Sequence, residues 1–147
     1  MITLDLASER DLPAIRALLG SAGLPEAGLM EVPTTFMVAR HGDRIVAAGA
    51  LERHGSDALL RSLVVAPEVR SSGIGSGIVA ALERLADESG VAGVYLLTGT
   101  AARFFAQRGY RRIGRDDAPD AVQASVEWSV ACDTTAIPMA REGQAAS

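Results

Sequence analysis

The residues whose types and spacing best suit chemistry form the run from Arg70 to Gly75, which has the pattern Arg-x-x-Gly-x-Gly. It follows an apolar stretch that ends at Pro67 and overlaps the start of an amphipathic stretch at Ile74. Glycines allow unusual backbone dihedrals and a close approach of the chain to a ligand, and the free amides at a helix start carry partial positive charge. The run therefore predicts a turn that binds phosphate. Arg70 is expected either to fix this turn or to contact the phosphate directly.

Two common nucleotide-binding motifs do not match this run. A P-loop needs Gly-Lys-Ser/Thr at the helix start, and no lysine stands here. A dinucleotide-binding fingerprint needs Gly-x-Gly-x-x-Gly, whereas the glycines stand at positions 73, 75 and 77. A turn that only joins a strand to a helix remains the alternative, because a six-residue pattern recurs by chance.

Further candidates lie on the strands before the turn. Glu52, at the end of a predicted strand, is the leading candidate for a general base, and a solvated strand-end carboxylate is the alternative. Arg61 interrupts the apolar strand Leu59–Val65 and, by strand alternation, shares a face with Leu63 and Val65. An unpaired buried charge is costly. Arg61 is therefore expected either to bind a substrate carboxylate or to form a structural ion pair with Glu52 or another carboxylate.

Hydrophobic periodicity predicts an α/β (α+β) fold, in which a mixed, mostly antiparallel sheet of about six or seven strands is flanked by helices. The clearest helix is Ile74–Glu88, with a stop signal at Gly90. His41 and His54 fall in predicted turns, where a surface role is expected. The predicted strands are 3–6, 35–40, 44–52, 58–65, 94–98, 110–113 and 135–139. The predicted helices are one that follows Ser8, a short one near Leu29, and those over 74–88, 101–108 and 119–129.

Length and composition favour one domain over residues 1–140 with a flexible tail over 141–147. The net charge of -4 argues against non-specific binding of nucleic acid. One cysteine, Cys132, excludes an intrachain disulfide and fits a reducing cytoplasm. No leader, no membrane-spanning run and no metal-binding Cys/His cluster is expected. Cys132 is read as a packed or partly exposed thiol rather than a catalytic one.

Three spaced motifs resemble the GNAT superfamily of acyl-CoA-dependent N-acetyltransferases. They are the strand Leu63-Val64-Val65-Ala66-Pro67, the run from Arg70 to Gly75, and Phe104-Phe105-Ala106-Gln107-Arg108-Gly109-Tyr110. The resemblance extends from about Thr3 to Ile113. It implies a GNAT fold with a splay between the fourth and fifth strands, and acetyl-CoA as the co-substrate.

The resemblance also implies roles for single residues. Backbone groups of the strand around Leu63 and Val65 are expected to pair with the pantetheine arm, and the segment from Thr98 to Phe105 to line its other side. The amides from Ser71 to Ser76 are expected to hold the pyrophosphate. The expected cofactor-binding residues are thus Leu63, Val64, Val65, Arg70, Ser71, Ser72, Gly73, Ile74, Gly75, Ser76, Thr98 and Phe105, with Arg61 and Ser62 expected at the acceptor.

One position departs from the family pattern. Phe105 stands where many members carry the tyrosine that protonates the leaving thiolate, and Tyr110 is expected to pack in the core. Water, Thr98, Thr100 and Ser62 remain the alternatives for this proton donor.

Arg61, with Phe105 at the tyrosine position, resembles the N-acetylglutamate-synthase-like branch of the family. The small acetyltransferases of arsenic-resistance operons are similar over Leu59–Val65, Tyr95-Leu96-Leu97-Thr98 and the segment from Ala118-Pro119 to Glu127. This narrower resemblance implies a small amino-acid-like acceptor, including arsenic- or phosphorus-containing glutamate analogues. A peptide N-acetyltransferase and a non-catalytic acetyl-CoA-binding module are the alternatives. No membrane or nucleic-acid partner is expected, and analogy with the family favours a homodimer. The apolar segment 118–139 could complete the sheet, cover the acceptor site or pair with a second copy.

Overall fold

The computed structural model describes residues 1–131 and 135–143. These residues form seven strands and four α-helices, together with short 3-10 turns and one π-helical turn at Glu127–Ala131. The strands are β1 (Ile2–Leu6), β2 (Thr34–His41), β3 (Arg44–His54), β4 (Asp57–Val65), β5 (Gly93–Thr98), β6 (Arg111–Arg112) and β7 (Ile137–Glu142), and the helices are α1 (Leu12–Ser21), α2 (Ile74–Glu88), α3 (Ala102–Gln107) and α4 (Asp120–Gln123).

The strands form one mixed sheet in the order β1-β2-β3-β4-β5-β7-β6. Every neighbouring pair is antiparallel except β4 and β5, which run parallel. The parallel pairing covers two residue pairs, Ala58 with Val94 and Leu59 with Tyr95, and β4 continues for six residues beyond them, to Val65. The predicted mixed sheet with a splay between its fourth and fifth strands is confirmed.

Helices cover both faces of the sheet. On one face α2 buries Ile78 and Leu82 against β2, β3 and β4, as the helical spacing of these side chains requires. On the other face α1 buries Ile15 and Leu19 against β3 and β4, in a cluster that contains Val64. The region where β4 and β5 separate therefore lies between two hydrophobic clusters, one on each face of the sheet.

A β-bulge interrupts β4. Ala48 of β3 pairs with Val64, but Ala50 pairs with Arg61, so Gly49 alone stands opposite Ser62 and Leu63. Ser62 takes the left-handed conformation, with φ +59°, which is unusual for a residue other than glycine. A bulge reverses the alternation of the residues that follow it. As a result, Leu63 packs with the α2 cluster while Arg61 points to the opposite face, so the prediction that they share a face was wrong.

The C-terminal part differs most from the sequence prediction. The helix predicted over 119–129 is split into α4 and the π-helical turn. The last strand, β7, ends at Glu142, so the prediction of a flexible tail from Arg141 was wrong for Arg141 and Glu142. The Arg141 side chain forms an ion pair with Asp87 at the end of α2.

A turn replaces the helix predicted near Leu29. Cys132 lies outside the described residues.

Candidate active site

The turn before α2 presents a row of free amides. Its backbone takes the left-handed conformation at Ser71 (φ +68°) and at Gly73 (φ +83°), the residue before the helix. Within the described part of the chain, none of the amides from 71 to 76 donates a hydrogen bond, whereas Gly77 donates to the Gly73 carbonyl at 3.0 Å. Since α2 adds the partial positive charge of its N-terminus, the turn can hold a phosphate or pyrophosphate.

Beside this turn, the end of β4 keeps one backbone edge open. The Ala66 amide donates to the Val46 carbonyl on β3 at 2.8 Å, so the peptide groups of Val65, which alternate with it, point away from β3. The Val65 carbonyl accepts a hydrogen bond from Arg70 Nε at 3.2 Å instead. Leu63, two residues earlier, presents the same edge. An extended amide-bearing molecule can pair with this edge as a further strand would.

The splay between β4 and β5 opens into two adjoining cavities. The outer one, of 660 Å³, extends from Arg70 and Gly75 along Leu63, Val64 and Val65. The inner one, of 240 Å³, continues between the strands to Arg61 and Glu127. Both are lined by Leu24, Leu63, Thr100 and Ala101. Together they form a continuous cleft from the phosphate turn to the centre of the sheet.

The far wall of the cleft is formed by the end of β5 and by α3. Thr98 Oγ1 accepts a hydrogen bond from the Ala101 amide at 2.9 Å, which fixes the start of α3 beside the cleft. Phe105 is buried and lines the inner cavity. Its ring contacts Tyr110 edge to face, with centroids 5.3 Å apart. Thr98, Thr100 and Ser62, the candidates for a proton donor, all line the inner cavity.

Tyr110 packs in the core, as its place in the motif predicts. Its side chain is buried with the α2 cluster and does not line either cavity of the cleft. Burial, together with the neighbouring Glu83 carboxylate, raises the pKa of the Tyr110 phenol. A phenol so placed does not protonate a thiolate in the cleft at neutral pH.

Arg61 is the centre of a buried polar cluster. Its Nη1 donates to Glu52 Oε2 at 3.1 Å and to the Ala27 carbonyl at 2.9 Å, and its Nε donates to Ser62 Oγ at 3.2 Å. Nη2 donates to the Pro25 carbonyl at 3.2 Å and lies 3.6 Å from Glu127 Oε1. The internal ion pair with Glu52, one of the two expectations for Arg61, is therefore present.

Glu52 occupies a different place from the one expected. It is only 2% exposed, so the alternative of a solvated strand-end carboxylate was wrong. Its Oε1 lies 2.9 Å from His54 Nε2, and the two residues line a separate cavity of 230 Å³ behind Arg61. His54 is buried, so a surface role for it was also wrong. Strand β3 ends at His54, two residues beyond its predicted end at Glu52. The prediction was too short because His54 was counted as part of the turn around Gly55.

Glu127 is the carboxylate that sequence reasoning missed. It lies at the start of the π-helical turn and lines the inner cavity. Sequence periodicity gives no signal for such a turn, and the contact with Arg61 joins residues 66 positions apart. Only the position of this acidic side chain between Val126 and Trp128 pointed to a special environment.

Comparison with known proteins identifies the family. The family model described as the acetyltransferase (GNAT) domain matches residues 33–112, and the chain belongs to this family. The matched part contains β2 to β6 and so includes the phosphate turn and both strands of the splay, whereas Leu24, Pro25, Glu127 and Ala136 of the cleft lie outside it. A search of curated proteins finds no match.

Solved structures show the same fold. N-acetylglutamate synthase from Neisseria gonorrhoeae, complexed with coenzyme A and N-acetyl-glutamate, superposes with a TM-score of 0.77 at 19% identity, over 97% of this chain and 35% of that chain. This chain thus spans about a third of that protein's length. A GNAT acetyltransferase from Staphylococcus aureus Mu50 gives 0.78 at 17% identity, over 97% and 99% of the two chains. The ribosomal-protein-S18-alanine N-acetyltransferase from Escherichia coli gives 0.71 at 18% identity, over 100% and 97%.

The chain is therefore an acetyltransferase of the GNAT family. Its donor groups fit acetyl-CoA, the co-substrate that the family resemblance implies: the amides from 71 to 76 are free to bind a diphosphate, and the edge of β4 is open to an amide-bearing arm. None of the helices in the described part has the length and apolar character needed to cross a membrane. The described residues also contain no group of three or more metal-ligating side chains.

Proposed function

We propose that the enzyme transfers the acetyl group to the primary amine of a small amino-acid-like acceptor, by direct attack in a ternary complex. The observation that carries the proposal is the inner cavity of 240 Å³ at the end of the cleft. Leu24 and Pro25 close it on one side, and Glu127 and Ala136 on another. A cavity of this size accommodates one amino acid, whereas a peptide substrate needs an open groove.

The residues of the cleft have the following proposed roles. Amides from Ser71 to Ser76 hold the pyrophosphate, with Arg70 beside them. The open edge of β4 at Leu63 and Val65 pairs with the pantetheine arm, which places the thioester near the bulge. Backbone N–H groups there stabilise the negative charge that develops on the carbonyl oxygen. The amine attacks in its neutral form, and a water chain or Glu52 accepts the proton that it loses. Thr98, Thr100, Ser62 or a water molecule protonates the departing thiolate.

Arg61 has a further proposed role at the acceptor. Its Nη2 group makes the longer contacts, 3.2 Å to the Pro25 carbonyl and 3.6 Å to Glu127, and it lines the inner cavity. A carboxylate of the acceptor can approach this nitrogen if the Pro25 contact is exchanged. In this proposal Glu52 remains the counter-ion of Arg61. For Glu52 to act as the general base, the proton of the attacking amine has to pass the Arg61 guanidinium through a water molecule.

Release of free thiol from acetyl-CoA tests the proposal. The acceptor panel contains amino acids, aminophosphonates, an arsenic-containing glutamate analogue and short peptides. We expect turnover with one or more small acceptors and little with peptides. Turnover with peptides alone would overturn the proposal, and so would binding of acetyl-CoA without turnover on any acceptor.

Three narrower statements remain predictions. A cytoplasmic location rests on the single cysteine. A role in arsenic resistance rests on the sequence resemblance and is tested by the arsenic-containing acceptor in the panel. A homodimer rests on analogy with the family and is tested by light scattering.

A further inference from the structure

We propose that two copies of this chain dimerise through the edge of the sheet at β1, with β1 of one copy antiparallel to β1 of the other. The seven-stranded sheets of the two copies then continue into each other across a two-fold axis. The inference goes beyond the reaction and holds whichever acceptor is used. It assigns a specific surface to the homodimer that analogy with the family predicts.

The first support is a row of exposed apolar side chains on β1. Ile2, Leu4 and Leu6 are 37%, 43% and 57% exposed, and among the described residues only Met1 and Met30 are large apolar side chains of comparable exposure. The three side chains of β1 share one face of the sheet by strand alternation. It is the face that α2 covers, but α2 packs mainly against β2, β3 and β4, so the row stays open.

The second support is the backbone of the same residues. The Ala7 amide donates to the Phe36 carbonyl on β2 at 2.9 Å. Successive residues of an antiparallel strand point their peptide groups alternately toward and away from the neighbouring strand, so Ile2, Leu4 and Leu6 point theirs away from β2. Since β1 is the first strand in the sheet order, these groups form an unpaired edge, which is a template for another strand.

The third support is the contrast between the two edges of the sheet. At the far edge, β6 consists only of Arg111 and Arg112, both exposed, and a short, charged edge strand discourages pairing. β1 is five residues long and contains no proline, lysine or arginine. Its one charged residue, Asp5, lies on the opposite face from the apolar row, where Arg40 binds it at 3.1 Å. β1 thus lacks the protection that an edge exposed to solvent usually has.

Hydrogen-bond direction and charge select one register, and this register is complementary to itself. Outward-pointing residues pair only with outward-pointing residues. A two-fold axis at Leu4 pairs Leu4 with its own copy and Ile2 with Leu6 of the second copy, and it sets Asp5 opposite the Thr3 hydroxyl. An axis at Thr3 shortens the pairing, and an axis at Asp5 places two carboxylates directly opposite each other, which is unfavourable. Such self-complementarity favours a second copy over an unrelated strand.

Size-exclusion chromatography with light scattering tests the interface. We expect the wild-type protein to form a concentration-dependent dimer. Leu4→Lys places two ammonium groups opposite each other at the axis and should raise the dimer dissociation constant about 100-fold. Met30→Lys is the matched control, because Met30 is 44% exposed and lies in the loop after α1, so this variant should stay dimeric. A monomeric wild type, or a Leu4→Lys variant that dimerises as the wild type does, would overturn the inference.

Disulfide crosslinking tests the register without relying on a loss of association. In a Cys132→Ser background, which removes the native cysteine, Leu4→Cys places two Cα atoms about 5.5 Å apart across the axis, within reach of a disulfide. Leu6→Cys places them about 14 Å apart, which is too far. We expect oxidation to yield a covalent dimer of Leu4→Cys alone.

Equal crosslinking of the two cysteine variants, or no crosslinking of Leu4→Cys, would overturn the inference. These outcomes leave the proposed function untouched, because β2 and β3 separate β1 from the cleft between β4 and β5. The thiol-release assay on the acceptor panel tests that function separately.

Discussion

At the scale of single residues, Arg61 combines the features of a structural and a functional group. It is 3% exposed and binds acceptors from three separate segments: Glu52 on β3, the carbonyls of the loop after α1, and Glu127 beside the inner cavity. A guanidinium suits such a place because its five donors form a rigid fork. The same residue therefore holds the loop after α1 and a carboxylate that lines the inner cavity.

Replacement of Arg61 separates these contributions. Arg61→Ala removes the guanidinium that contacts two buried carboxylates, so we expect a loss of about 3–5 kcal/mol in the free energy of unfolding. Among the molecules that remain folded, the acceptor KM should rise much more than the KM for acetyl-CoA. Denaturant unfolding and steady-state kinetics measure the two effects. Equal changes in both KM values would show that Arg61 acts only through the fold.

At the scale of the elements, the phosphate turn and α2 act as one unit. Gly73 takes φ +83°, which side-chain-bearing residues rarely adopt. Space is not the constraint, because an added Cβ at this glycine meets nothing within 4 Å. The glycine is therefore needed for the left-handed backbone of the turn that carries the free amides.

Gly73→Ala tests this geometry with a matched control. The left-handed conformation costs an alanine about 1–2 kcal/mol, so stability should fall by that amount and the KM for acetyl-CoA should rise. Gly42, in the β2–β3 hairpin, has φ +64° and the same empty surroundings. Gly42→Ala should show a similar fall in melting temperature with an unchanged KM. An unchanged KM in Gly73→Ala as well would contradict the proposed pyrophosphate site.

A second unit joins the start of the chain to the sheet. Arg40 on β2 binds both Asp11 oxygens, at 3.0 and 2.7 Å, and also Asp5 at 3.1 Å. The two bonds from Arg40 to Asp11, with one from the Ser8 amide, hold the pKa of Asp11 well below its usual range. The contribution to stability is therefore fully present above the ordinary aspartate pKa and is lost as the pH falls through the lowered one.

Asp11→Asn checks this sign. The variant should melt at a lower temperature than the wild type at pH 7, and the difference should shrink as the pH falls below about 4. Thermal melts of both proteins across this range provide the measurement. A difference that stays constant with pH would mean that Asp11 acts through packing rather than through its charge.

Elements that are marked by a local residue pattern could be predicted from the sequence. The bounds of α2 were predicted to the residue, because Ile78, Leu82 and Leu85 repeat at helical spacing between a glycine turn and Gly90. The bulge was missed, because Ser62 carries no mark of a left-handed backbone. The environment of Glu127 was missed because it depends on a distant segment, which no local pattern records.

At the scale of the whole molecule, ligand binding should be visible as stability. The cleft is formed by both halves of the sheet together with α2 and α3, so acetyl-CoA binds only the folded chain. At about 100 times its Kd, we expect acetyl-CoA to raise the melting temperature by about 5–10 °C. Pantetheine, which lacks the pyrophosphate, should do much less at the same concentration. Equal shifts from the two ligands would place the binding energy outside the phosphate turn.

The short pairing of β4 and β5 has a last consequence, which concerns aggregation. Unpaired strand edges recruit strands from other chains, and proteins usually blunt them with charges or cover them. Here the open edge of β4 lies in the middle of the sheet, between the loop at Leu24 and the segment at Thr100 and Ala101. We expect the two flanking segments to admit a thin extended ligand and to hinder a β-strand with side chains on both faces. A hydrogen-bonding edge in this position can serve a co-substrate without acting as a template for strands of neighbouring molecules.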